Sequence, residues 1–245
     1  MIVLSSFTNE IIKILCGGGS SGSEYQEPQE EDLVFLFENK DSVDIRKIFK
    51  CFDNIPNSGA TYSIKLCTNI PDITNPSSLH KNLGPGHAFV SITKQNGAQS
   101  ITQTFGFYPN DRYISVSMLG VRSKIVNDGN AAGTHQYNAA ITNHDITESD
   151  FQILKETVTN LSSHNYDLNN YNCTDYALDV YNSILLPFQK IYVNDWIGLG
   201  GNSQIGFNFG TTPNGLYKKL YDMQNSNNNI GIVVFNAQTS IGPCN

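Results

Sequence analysis

The segment Tyr166-Asp167-Leu168-Asn169-Asn170-Tyr171-Asn172-Cys173-Thr174-Asp175-Tyr176-Ala177-Leu178 constrains this chain more than any other. A turn-rich asparagine stretch delivers one cysteine to the first turn of a predicted helix. The first backbone N–H groups of a helix lack intrahelical partners and carry the positive end of its dipole. A thiol placed there has its pKa lowered and becomes a better nucleophile at neutral pH. Upstream, Gly84-Pro85-Gly86-His87-Ala88-Phe89-Val90-Ser91-Ile92 puts a histidine at the start of a predicted strand. A cysteine opening a helix and a histidine opening a strand are the minimal constellation for thiol catalysis, with the imidazole as base and later as acid.

The rest of the chain offers these two residues a scaffold. Asp44 to Phe52 predicts a helix with Ile45, Ile48 and Phe49 on one face. Strands are expected over Leu33–Phe37, Thr61–Ile70, His87–Thr93, Ser100–Phe107 and Thr134–Ile141, with Gly120–Gly133 as loop. Asn96-Gly97 signals a hairpin, because both central turn positions need positive φ. Thr147-Glu148-Ser149-Asp150 opens a helix with cap-like chemistry, and Phe151, Leu154, Val158 and Leu161 form its apolar stripe. The cysteine helix is expected over Cys173–Leu185, with Ala177, Val180, Tyr181 and Ile184 buried and Pro187 as its stop. Thr212 to Met223 predicts a last helix and Ile230 to Phe235 a closing strand. The sum is α+β: an antiparallel β-sheet packed against helices that fall mostly in the second half.

Composition narrows the chemistry. Of 245 residues, 39% are hydrophobic, enough for a sizeable core, and the formal net charge is −7. Arg46, Arg112 and Arg122 are the whole arginine set, which argues against nucleic acid, whose binding rests on clustered Lys and Arg. No apolar run approaches the ~18 to 20 residues of a membrane-spanning helix. The histidines at 80, 135, 144 and 164 show no His-x-x-x-His spacing and the cysteines no Cys-x-x-Cys, so no metal site and no cofactor is expected. Five cysteines leave at least one thiol unpaired, and Cys51 and Cys67 are able to bridge.

The order of the two motifs, histidine strand, hairpin, then Asn-Cys at a helix start, resembles the circularly permuted branch of the NlpC/P60, papain-like cysteine hydrolase superfamily. Asn172-Cys173-Thr174-Asp175-Tyr176 is similar to the Asn-Cys-Glu-His-Phe of lecithin:retinol acyltransferase-like proteins. The resemblance covers roughly residues 60 to 223. It implies a cysteine peptidase, amidase or acyl-group hydrolase acting through Cys173 and His87. Its leading substrate is then a peptide or peptidoglycan fragment, with an amide in bacterial cell-wall peptide as the scissile bond. An acyltransferase on the same fold and a non-catalytic binding module are the alternatives. The Cys173 backbone N–H is the expected oxyanion donor.

The superfamily also implies a third polar group that orients the histidine from the following strand. With Asn96-Gly97 as a two-residue turn, His87 faces Gly106 and Phe89 faces Thr104. Thr104 is the nearest polar side chain on that face and is taken as the third group. Gln103, on the other face unless a bulge intervenes, and Tyr108, beyond Gly106, stay open. Tyr108 is also a candidate to line a substrate groove, as is Trp196, the single tryptophan, at the edge of a Gly/Asn-rich loop.

The first 32 residues stand apart. Gly17 to Asp32 is Gly/Ser-rich, then acidic, and is expected to be a flexible linker. Cys16 followed by Gly17-Gly18-Gly19-Ser20 resembles the tether after a lipoprotein's lipidated cysteine, although Leu15, Glu10 and Lys13 depart from that pattern. Residues 1–32 are therefore expected to be an N-terminal segment and linker that tethers the chain to a membrane, and 33–245 the permuted papain-like domain. With its many Asn, Ser, Thr and Gly residues, the chain is expected to be secreted or associated with a bacterial cell envelope.

Overall fold

Period-two alternation along the long strands sets the architecture. A computed structural model of the chain describes residues 34–37, 40–79, 85–115, 119–129, 135–194, 198–199, 211–226 and 230–242. In chain order these form β1 (Val34–Leu36), α1 (Ile45–Lys50) running into a 3₁₀ turn (Cys51–Asn54), β2 (Thr61–Asn69), β3 (Ser78–Leu79), β4 (His87–Asn96) and β5 (Gln99–Pro109). Then come β6 (Tyr113–Ser115), β7 (Ser123–Asn127), β8 (Gln136–Ile146), α2 (Glu148–Leu161), α3 (Cys173–Asn182), β9 (Gly198–Leu199), α4 (Pro213–Asn225) and β10 (Ile232–Thr239). One antiparallel sheet in the order β10-β8-β2-β4-β5-β7 carries the fold, which is α+β.

One sheet face presents Tyr62, Ile64 and Leu66 from β2, Val90 and Ile92 from β4, and Phe105 and Phe107 from β5. Those side chains join one core with Ile48 and Phe49 of α1, Leu154 and Val158 of α2, Ala177, Val180 and Tyr181 of α3, and Leu216 and Leu220 of α4. Burying each such aliphatic or aromatic side chain stabilises the fold by roughly 1.5–3 kcal/mol before conformational entropy is counted. Lys94 stands on the same face and is almost wholly buried, because its Nζ donates to the carbonyls of Phe52 (3.1 Å) and Ile55 (2.5 Å) at the end of the 3₁₀ turn. The Phe52 carbonyl also accepts from the Ile55 N–H (3.2 Å), so the ammonium shares that acceptor, takes the Ile55 carbonyl as well, and locks the turn onto the sheet. The other face is hydroxyl-rich, with Ser63, Ser91, Thr93, Thr102 and Thr104, and holds a small second cluster of Cys67, Phe89, Tyr137 and Ala140.

The hairpin differs from expectation by one residue. Gly97 and Ala98 occupy the turn, and Asn96 pairs with Gln99. Only Gly97 takes positive φ, at +59°, which is the pattern of a type II′ turn and spares Asn96 the left-handed conformation. Every pair therefore shifts by two residues: Phe89 faces Gly106 and Ser91 faces Thr104. The stretch 120–133, expected to be loop, contains β7. The cysteine helix closes at Asn182, where the Ser183 N–H caps Val180, ahead of Pro187. Cys51 is disulfide-bonded, whereas Cys67 and Cys173 are free thiols, so the considered Cys51–Cys67 bridge is not formed. Cys67 packs into the second cluster on the sheet face away from α1.

Candidate active site

Cys173 is the first residue of α3 and Asn172 is its N-cap. The Asn172 side chain accepts from the Thr174 N–H (2.8 Å), and the Asp175 carboxylate accepts from the Asn172 N–H (2.9 Å), a reciprocal capping box. The Asn172 amide also donates to the carbonyls of Leu168 (3.2 Å) and Thr211 (2.8 Å). This side chain thus ties the preceding loop, the helix start and the approach to α4 together, and fixes where the sulfur stands.

His87 opens β4, and its ring is the thiol's hydrogen-bonding neighbour. Its Nε2 lies 3.1 Å from Oδ2 of Asp128, a fully buried carboxylate one residue beyond β7. That leaves Nδ1 as the ring nitrogen available to Cys173. The other Asp128 oxygen accepts from the Tyr108 hydroxyl (2.7 Å), and the Lys40 ammonium stands 3.7 Å from it. Asp128 also donates its backbone N–H to the Thr104 carbonyl (3.0 Å) and accepts from the His135 N–H (2.8 Å). The His87 ring is packed by Tyr108 and His135, with centroids 4.4 and 4.9 Å away.

Charge follows from these contacts. Burial by itself would lower the His87 pKa, but the Asp128 charge and hydrogen bond, followed by Cys173, raise it to about 9. Burial would raise the Cys173 pKa; the hydrogen bond and charge of His87, then the Ala88 backbone N–H and the Tyr166 hydroxyl, bring it below its ordinary value. Burial also works against an ionised Asp128, and the charge and hydrogen bond of His87, with His135 and Lys40 beyond, hold its pKa low all the same. All three shifts act in the same sense, towards a thiolate facing an imidazolium backed by a carboxylate. His135, half-buried and repelled by His87, has its pKa pushed down to about 4 and is neutral at physiological pH.

Tyr166 completes the surroundings. Its hydroxyl approaches the Cys173 sulfur, and the Cys173 backbone N–H faces that hydroxyl oxygen. Its ring is held by Phe37 and Phe107 at centroid distances of 5.7 and 5.5 Å. The expected oxyanion donor is thus already engaged by a tyrosine, whose O–H stands beside it as a second donor. Cys173 and His87 are each 5% exposed.

The structure therefore brings Cys173 and His87 together, but Thr104 does not join them. The two-residue register shift sets Thr104 opposite Ser91, and the two hydroxyls bond at 2.7 Å, with a further bond from Thr104 to the Ile241 carbonyl. The third group is Asp128. Tyr108 sits behind the His87 ring as a buried donor to that carboxylate rather than on an open groove. Trp196, His80 and the N-terminal segment 1–32 with Cys16 lie outside the described residues. Among the described residues no cluster of histidine, cysteine and acidic side chains is arranged to hold a metal ion, and no helix is long and apolar enough to cross a membrane. No family model matches the chain, and neither a curated protein nor a solved structure matches it.

Proposed function

We propose that this protein is a thiol hydrolase that cleaves an amide bond through Cys173 and His87, with Asp128 orienting and charging the histidine. The observation that carries the reading is the continuous chain from a helix-opening free cysteine, through an imidazole, to a buried carboxylate. Each link has a chemical use. The thiolate attacks the carbonyl carbon, and negative charge moves to the carbonyl oxygen. The Tyr166 O–H, released by the sulfur as its charge moves away, is the donor for that oxygen, and the Cys173 N–H holds the tyrosine oxygen in place. The His87 imidazolium gives its proton to the departing amine, leaving a thioester and a neutral imidazole. That imidazole then takes a proton from water, the resulting hydroxide cleaves the thioester, and the thiolate–imidazolium pair is restored. Asp128 stays ionised throughout and fixes which nitrogen carries which proton.

An amide in bacterial cell-wall peptide is the proposed substrate, on the permuted papain-like resemblance of the two motifs. The test is digestion of purified peptidoglycan with the wild type and Cys173→Ala, with products read by mass spectrometry. New amine and carboxylate termini from the wild type alone are expected. Identical products from both proteins, or none from either, refute the assignment.

A further inference from the structure

On the sheet face away from the helices, β2, β4, β5, β8 and the chain leaving β10 enclose a cavity of about 70 Å³. Eight of its eleven lining residues carry hydroxyl groups, Lys65 supplies the single charged group, and no carboxylate is among them. The Lys65 Nζ donates to the Tyr137 hydroxyl (3.1 Å), and that hydroxyl donates onward to Oε1 of Gln238 (2.6 Å). One ammonium hydrogen is thereby committed, and the tyrosine proton points away. Thr93 and Thr102 bond to each other at 2.8 Å, which uses one of their two hydroxyl hydrogens. Ser91 is spent on Thr104 (2.7 Å) and Ser240 on the Asp128 carbonyl, so two Lys65 hydrogens and the hydroxyls of Ser63, Thr142 and Thr239 remain as donors, with no acid in the lining to balance the ammonium. Its volume exceeds the ~30 Å³ share of one water molecule and is far below the several hundred Å³ of a drug-sized site.

We propose that this cavity is a site for a small tetrahedral oxyanion group, of the phosphate or sulfate type, held by Lys65 and the surrounding hydroxyls. Charge-assisted bonds from an ammonium and converging O–H donors are the chemistry such a group requires. The position carries a consequence that rests on the proposed function. Ser240, which lines the cavity, donates its N–H to the His135 carbonyl (3.0 Å) and its hydroxyl to the Asp128 carbonyl. An anion between this chain and the sheet braces the turn that holds Asp128.

The experiment is calorimetric titration of the full chain with sodium sulfate and with inorganic phosphate, at ionic strength matched with sodium chloride, alongside melting curves. The wild type and Cys173→Ala are expected to bind saturably and with equal affinity, because the site does not use the thiol. Lys65→Met is expected to bind at least about tenfold more weakly, and Lys65→Arg to retain binding, which separates loss of the ammonium from loss of the fold. Phenyl phosphate distinguishes the sources: exclusion assigns the site to the free ion, and binding equal to phosphate assigns it to the end of a larger molecule. A melting temperature that rises linearly with sulfate without saturating, or a Lys65→Met affinity equal to wild type, overturns the proposal. Loss of hydrolysis in Cys173→Ala with binding intact leaves it standing, so the two readings fail separately.

Discussion

His87 and Asp128 meet across the bare Cα of Gly106, Nε2 to Oδ2 at 3.1 Å. A β-carbon built on Gly106 would stand 2.5 Å from the His87 Nε2 and clash with the Asp128 carboxylate oxygen. The glycine is therefore part of the site: a strand-interior position left empty so that a hydrogen bond can pass over it. Gly106→Ala is expected to force the pair apart and reduce kcat/KM by about tenfold or more, with the hydrogen bond weakened rather than the residues removed. Its pH profile should lose its alkaline limb at lower pH than the wild type. Unchanged kinetics in a folded Gly106→Ala would show that the His87–Asp128 bond is not needed for turnover.

Asp128→Asn tests charge separately from shape. The amide keeps the size of the side chain and an acceptor for Tyr108, but removes the negative charge that holds the His87 pKa up at about 9. The imidazolium then deprotonates nearer the unperturbed value of about 6.5, and the Cys173 thiol loses the positive neighbour that lowers its pKa. Two readouts follow. Turnover at pH 7.5 should fall by roughly 10² or more, and the pH at which iodoacetamide alkylates Cys173 at half-maximal rate should move up. An alkylation profile identical to wild type would contradict the ion-pair assignment.

Tyr166→Phe isolates a hydroxyl. The ring stays between Phe37 and Phe107, so stability should change by no more than about 1.5 kcal/mol, the scale of one hydrogen bond. If the hydroxyl serves the oxyanion, kcat should drop by roughly 10²-fold with little change in KM. A change in KM alone would instead give Tyr166 a role in holding the substrate.

Most of the scaffold is legible in the sequence because helices announce their buried stripes and caps. Thr147-Glu148-Ser149-Asp150 forms the capping box it spells, and Phe151, Leu154 and Val158 are buried where the 3.6 period puts them. Cys173 and His87 are legible for a different reason: each is a reactive side chain at the first position of its element, next to turn residues. Asp128 is hidden because Asn127-Asp128-Gly129 has the composition of a turn, and it is a turn. The same carboxylate serves the site, and only the β5–β7 pairing, which sets Asn127 against Phe105 and Val126 against Gly106, carries it to His87. The expectation of Thr104 rests on a turn register with positive φ at both Asn96 and Gly97, whereas the backbone takes it at Gly97 alone. The one signal in the sequence that pointed past this error is Gly106 itself, a glycine between two buried phenylalanines where a strand gains nothing from it.

The dependence of stability on pH separates two groups near the helix start, the half-buried Asp175 and the buried His87. The Asp175 pKa is raised to about 6, first by burial, against the hydrogen bond it accepts from the Asn172 N–H. A carboxyl with a raised folded-state pKa binds its proton more tightly in the native state, so its contribution is present below the unfolded value of about 3.9 and is lost as pH rises through about 6. His87, raised to about 9, contributes stability that is complete below about 6.5 and is lost as pH rises towards 9. Asp128, held low, acts in the opposite sense: its contribution is present at neutral pH and disappears on acidification. Asp175→Asn keeps a carbonyl acceptor for the Asn172 N–H while removing the titration. Urea denaturation at intervals from pH 4 to 9 should show the decline between pH 4 and 6 flattened in that variant, by up to roughly 3 kcal/mol at its upper end, with the decline above pH 6.5 unchanged. A curve that keeps its wild-type slope between pH 4 and 6 would mean that Asp175 is not the group titrating there.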